Sequence, residues 1–359
     1  MDLTFLGSTG LRVSQLCLGA MTFGDDWGWG ADEATSRQVF DAFDDAGGSF
    51  VDTADVYTGG TSETLLGRFL QGRRDRFVVA TKYGISTDQA DPNAGGGSRK
   101  NLRVSLEASL RRLQTDYVDL YWVHVWDGYT PVEETLAALD DVVRAGKVLH
   151  IGFSDTPAWL VARADALAQV SGRTRPAAIQ VEYNLAERAV ERDLLPMAET
   201  LGLGILDWSP LAGGALTGKR LTGHEDHDAP AVARAQAVPH FAKYDDARTA
   251  AIVTEVVRLA RELGCTPAQL ALAWLRAQSP LHVPIVGARS MRHLQDNLGA
   301  LNVDLPDDVL QRLDAVSGVE LGFPHDFLKN GRRGWFGDVP ERLDPRLRPL
   351  ARRAVGLAS

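Results

Sequence analysis

Eight short, apolar, β-prone runs recur along this 359-residue chain with helical patterns between them, and that alternation most constrains its fold. The runs cover residues 16–21, 49–52, 77–81, 118–123, 148–153, 178–181, 204–208 and 283–286. Ser98 is placed to cap a helix in which Leu102, Leu106, Leu110 and Leu113 recur at helical spacing. Pro131 opens another containing Glu133, Glu134, Leu136 and Leu139, and further helices start near Asp32, Ser62, Thr156 and Pro267. Strands alternating with helices imply βαβ units and a parallel sheet, and eight strands is the number that closes a (β/α)8 TIM barrel. The rival, an open doubly wound sheet, normally carries Gly-x-Gly-x-x-Gly after its first strand, and that pattern is missing here. The expectation is an α/β barrel over residues 1–316. A β-hairpin at 3–13, turning at Gly7-Ser8-Thr9-Gly10, would close its bottom, and residues 317–359 would form a C-terminal extension. Residues 222–246, rich in His, Asp, Ala and Pro without periodicity, read as a long loop after the seventh strand.

Composition narrows the partners. A net charge of -9 disfavours a nucleic-acid backbone or an anionic membrane, since both select basic surfaces, so the expected partner is a small molecule. Cys17 and Cys265 are too few for a disulfide framework, which predicts a cytoplasmic setting. The start, Met1-Asp2-Leu3-Thr4-Phe5, lacks a basic segment leading into an apolar one, so no secretory signal is expected; no apolar run reaches membrane-span length. Arg332, Arg333, Arg346, Arg348, Arg352 and Arg353 in the tail read as a solvated helix face, with docking or oligomer contact as the alternative.

The chemistry sits where the runs end. Asp52-Thr53-Ala54-Asp55-Val56-Tyr57 follows the second run, Lys82 the third and His124 the fourth, and barrel enzymes build their sites at the C-terminal ends of strands. Taken singly, each residue has an ordinary structural explanation; their shared placement is what points to catalysis. Lys82 beside Tyr57 would favour the phenolate and lower the phenol pKa from about 10, while Asp52 keeps Lys82 charged. Such a phenol can protonate a carbonyl oxygen while hydride reaches the carbon, with His124 orienting the carbonyl.

These residues resemble the aldo-keto reductases, and the resemblance covers nearly the whole chain. Asp52-Thr53-Ala54 with Tyr57 and Ser62-Glu63 matches one family signature, and Leu113-Gln114-Thr115-Asp116-Tyr117-Val118-Asp119-Leu120-Tyr121 leading to His124 matches another. Gly96-Gly97-Ser98-Arg99-Lys100-Asn101 and Gly322-Phe323-Pro324-His325-Asp326-Phe327-Leu328 look most like the aryl-alcohol dehydrogenase and norsolorinic-acid reductase branch. The resemblance implies an NADPH-dependent barrel reducing aldehydes or ketones, with Asp52, Tyr57, Lys82 and His124 as the catalytic tetrad. It implies that Ser154, Asp155 and Gln180 hold the nicotinamide carboxamide and that Trp208 stacks on the ring. Met21, Ser209, Pro210, Leu211 and Lys219 are implied as further cofactor contacts, the last four along the pyrophosphate. Gly287, Arg289, His293, Asp296 and Asn297 resemble the adenosine-phosphate clamp, and the guanidinium fork of Arg289 favours NADP(H) over NAD(H). Two positions depart from the family pattern. Asp155 stands where Asn is usual, and an ionised carboxylate cannot donate to the carboxamide oxygen; His293 stands where Arg or Gln is common.

Trp27, Trp29 and Trp126 fall in loops after the first and fourth strands; Trp27 and Trp126 are the candidate substrate contacts, lining a pocket for aromatic or polycyclic carbonyls. Gly213 to Lys219 spells the start of a nucleotide P-loop, but Arg220 stands where Ser or Thr must meet magnesium. His224-Glu225-Asp226-His227 lies in the irregular loop and reads as a polar lid, so no metal is expected. Two other readings stay open: reduction of keto or enoyl sugar nucleotides, and a non-catalytic NADPH-binding redox sensor resembling channel β-subunits. His124 favours carbonyl reduction, because enoyl reducers of the wider family can carry Glu there.

Overall fold

In the computed structural model, which describes residues 1–219 and 238–337, the eight runs become eight parallel strands closed into a barrel. Two further strands, β1 (Leu3–Phe5) and β2 (Arg12–Ser14), pair antiparallel ahead of them. The barrel strands are β3 (Cys17–Gly19), β4 (Phe50–Asp52), β5 (Val78–Tyr83), β6 (Val118–Val123), β7 (Val148–Ser154), β8 (Pro176–Glu182), β9 (Gly204–Trp208) and β10 (His282–Gly287). Neighbours follow in chain order and β10 returns to pair with β3, as right-handed βαβ units dictate.

Helices cover the outside: α1 (Glu33–Asp45), α2 (Thr61–Phe69), α3 (Arg99–Leu113), α4 (Val132–Arg144), α5 (Ala158–Ser171), α6 (Leu194–Leu201), α7 (Ala247–Leu263), α8 (Pro267–Gln278), α9 (Met291–Gly299), α10 (Asp307–Ser317) and α11 (His325–Phe336). Their starts carry the expected chemistry. Asp32 accepts from the Thr35 amide at 2.8 Å, Ser98 accepts from that of Asn101, and Thr266 forms a capping box with Gln269 ahead of Pro267. Pro157, which precedes Ala158, delays the helix expected near Thr156 by two residues.

Side chains alternate along each strand, so every second residue faces the barrel axis. Phe50, Ala80, Leu120, Trp122, Ala178, Leu206 and Val283 fill that interior, separately from the larger core between strands and helices. Gly152 makes room for one of them: a Cβ there would come within 2.3 Å of the Trp122 indole. The hairpin closes the N-terminal end by burying Leu6 and Val13 in this inner core, with the Ser8 amide bonded to the Gly202 carbonyl at 2.7 Å. Among the described residues no helix is long and apolar enough to cross a membrane.

Candidate active site

The same alternation carries Asp52, Lys82, His124, Ser154, Gln180 and Trp208 to the C-terminal mouth of the barrel from six successive strands. The Lys82 ammonium is fully buried, paired with Asp52, and donates to the Thr53 carbonyl at 2.8 Å and to the Tyr57 hydroxyl at 3.1 Å. The other Asp52 oxygen accepts from the Trp122 indole at 3.0 Å and from the Gln180 amide at 3.1 Å. Burial pushes the Asp52 carboxyl up, against the pull of these donors. Burial opposes the Lys82 charge too, but Asp52 and Tyr57 more than offset it and hold the ammonium above its ordinary value.

Tyr57 begins a tight turn, Tyr57–Gly60, whose Thr58 adopts a left-handed φ of 48°. The Thr58 hydroxyl donates to the Phe23 carbonyl at 2.9 Å and accepts from the Ser62 amide, and the Ser62 hydroxyl donates to the Ala20 carbonyl at 2.6 Å. Glu63 accepts from Thr81 and Arg112. The signature residues Ser62 and Glu63 thus hold the turn that aims Tyr57. The phenol's direction of shift reverses the sequence expectation: burial pushes it up, and the opposing pull of Lys82 is the smaller effect. Tyr57 therefore rests as the protonated acid. His124 meets it edge-on at 5.8 Å between ring centroids, and burial followed by the Lys82 charge keeps the imidazole neutral.

The mouth also fits a flat ring bearing an amide. Ser154 Oγ is buried without a hydrogen-bond partner, and the half-buried Trp208 ring is tied at its Nε1 to Asp155. Asp155 (φ 42°), Ser209 (φ 52°) and Ala212 (φ 51°) hold left-handed backbone along this rim, a strain that non-glycine residues carry mostly at functional sites. Ser209 accepts from the Gly213 amide, and Pro210, Leu211 and Lys219 continue that segment. Met21 lies in the turn Ala20–Thr22, which Thr22 joins to the Ala288 carbonyl past β10.

The adenosine-clamp candidates serve the fold as well. Asn297 donates to the Gly287 carbonyl, Asp296 accepts from Thr266 and Gln269, and the His293 amide caps onto Ser290. Arg289 is half-buried beside them.

Of the tryptophans, Trp27 stands edge-on to Tyr57 at 6.4 Å and Trp29 is buried behind it. Trp126 meets Trp159 at 5.9 Å, and both are exposed. Trp159, Trp122 and the buried Asp55 are site neighbours that sequence reasoning missed. Trp159, an indole one residue into α5, carried the only signal. His224-Glu225-Asp226-His227 lies outside the described residues.

The family model described as Aldo/keto reductase family matches residues 15–317. The chain belongs to the aldo/keto reductase family. A norsolorinic acid reductase of Aspergillus flavus is 35% identical over 331 residues, covering 89% of this chain and 82% of that protein. One from Emericella nidulans is 38% identical over 329 residues, with the same coverage. An aryl-alcohol dehydrogenase [NADP(+)] of Phanerodontia chrysosporium is 36% identical over 338 residues, 90% of this chain and 87% of that protein. As an aldo/keto reductase the protein is an oxidoreductase acting on carbonyl or alcohol groups, and its relatives fall in the branch that its sequence motifs resemble.

Proposed function

We propose that this aldo/keto reductase uses NADPH to reduce aldehydes and ketones, with aromatic or polycyclic carbonyls as its substrates, in the cytoplasm. The observation that carries the reading is the 3.1 Å contact from a buried, Asp52-paired ammonium to the Tyr57 hydroxyl. When bound, the reduced nicotinamide supplies hydride to the carbonyl carbon. Tyr57 gives its proton to the carbonyl oxygen as negative charge builds there, and Lys82 stabilises the phenolate that remains. His124, held neutral, offers a ring N–H to the same oxygen without competing for the proton. In the oxidising direction the phenolate of Tyr57 takes the alcohol proton back.

Ser154, Asp155, Gln180 and Trp208 would hold the nicotinamide end. Met21, Ser209, Pro210, Leu211 and Lys219 would follow the chain of the cofactor to Gly287, Arg289, His293, Asp296 and Asn297. The name of the aryl-alcohol dehydrogenase relative supports both NADP use and aryl substrates, as do the Trp27 edge over Tyr57 and the exposed Trp126. The test is loss of reduced-nicotinamide absorbance with a panel of aryl aldehydes and ketones. Tyr57→Phe is expected to lower kcat by about 10²–10⁴ while NADPH still binds. Turnover by Tyr57→Phe at the native rate would refute the assignment of the acid.

A further inference from the structure

We propose that Asp155 is a positioning residue that accepts the Trp208 Nε1–H and so fixes the indole as one wall of the cleft. The family pattern has an amide at this place, and a carboxylate is poorly suited to an amide's task, because once ionised it can only accept. It is well suited to an indole N–H, which can only donate; a charged acceptor strengthens that bond. The structure shows the pair at 3.0 Å. Asp155 reaches it from the residue after β7, over the intervening strand β8, by adopting a left-handed φ of 42° while its own amide bonds to the Gln180 carbonyl. The His240 ring packs against Trp208 at 5.7 Å between centroids and is itself bonded to Glu182 at 2.7 Å. The indole is therefore held at its edge by Asp155 and against His240, and a flat ligand meets an already oriented ring.

The charge of Asp155 answers to its surroundings. Asp155 keeps an exposed face at the rim, but the protein packed around it pushes the carboxyl up to about 6; Trp208 draws it down, Glu182 raises it, and Lys82 and Ser154 lower it. Tyr57 feels Asp155 in turn, and Lys243 shares Glu182 with His240. The tether is thus at full strength above neutrality and weakens as Asp155 gains its proton.

The effect on cofactor affinity rests on the NADPH reading above, whereas the tether itself does not, so the two are tested separately. Ligand-free protein labelled with 5-fluorotryptophan gives a Trp208 fluorine resonance, identified by its loss in Trp208→Phe. That resonance is expected to move with a midpoint of about 6. The movement should vanish in Asp155→Asn and persist in His240→Gln. In fluorescence titrations Asp155→Ala should bind NADPH about five- to tenfold more weakly, and Asp155→Asn, which keeps a neutral acceptor, by a smaller factor. A titration that survives in Asp155→Asn, or disappears only in His240→Gln, would overturn the tether. A normal titration with unaltered NADPH affinity in Asp155→Ala would overturn its role in seating the cofactor. The expected titration in a native protein that binds no NADPH would instead count against the cofactor assignment alone.

Discussion

Asp55 follows Asp52 by three residues, and replacing it should stabilise the protein in a pH-dependent way. The side chain is 3% exposed, and its carboxylate has only weak pulls from Ser105 and the Val56 amide, with no hydrogen bond of ordinary geometry. Burial, reinforced by nearby Glu63 and opposed by Arg112, pushes the carboxyl up to about 7, whereas an unfolded chain releases the same proton near 3.9. Below about pH 4 both states carry the proton and Asp55 has no effect on the balance between them. Between about 4 and 7 only the folded state keeps it, so stability falls as pH rises, the reverse of a salt-bridged aspartate. At about 1.4 kcal/mol per unit the loss totals about 4 kcal/mol by pH 8, of which between 1 and 2 is already incurred at about pH 5. Asp55→Asn keeps the shape without the charge. Its stability relative to the native protein should therefore grow by roughly 3 kcal/mol from pH 5 to pH 8. Urea unfolding of both proteins at the two pH values measures this, and other titrating groups, such as Asp127 held down to about 2, cancel in the comparison. Equal differences at both pH values, or a native protein that gains on the variant as pH rises, would refute the reasoning.

Lys82→Met should cost about 3–5 kcal/mol in urea unfolding, because Asp52 is left buried without its cation; Lys82→Met with Asp52→Asn should recover most of it. Trp27→Ala removes the edge-on wall beside Tyr57, so KM for aryl aldehydes should rise about five- to tenfold while that for small aliphatic aldehydes stays within about twofold, read in steady-state assays. Gly7→Ala would place a Cβ 2.5 Å from the Gly202 carbonyl oxygen and the Gly204 amide at a φ of 56°; a loss of about 2 kcal/mol or more, seen as a lowered Tm, is expected.

The runs at 118–123 and 204–208 coincide with β6 and β9, the second bounded by Gly202 before it and Ser209-Pro210 after it. The run at 77–81 stops short of the end of β5, since Lys82 is charged and does not read as strand, although the strand continues through it to Tyr83. Residues 16–21 read as one apolar strand, but the backbone leaves β3 at Gly19 and turns through Ala20–Thr22. That Asp52, Tyr57, Lys82 and His124 meet at one end of the barrel was legible because strand ends and period-two alternation are both sequence properties. What remained hidden depends on three-dimensional surroundings: the indole of Trp122 reaching Asp52 across the barrel, the isolation of Asp55, and the bond from Asp155 to Trp208. The direction of the Tyr57 shift belongs with these. The pull of a neighbouring lysine can be anticipated from a motif, whereas the opposing cost of burial is set by the packing of the entire mouth.

The hairpin that buries Leu6 and Val13 seals the N-terminal end of an interior already filled by side chains, so the C-terminal mouth alone is left to receive a ligand. Leu6 and Val13 thus serve the site without touching it, as the floor on which the side-chain layers beneath Asp52 and Lys82 rest.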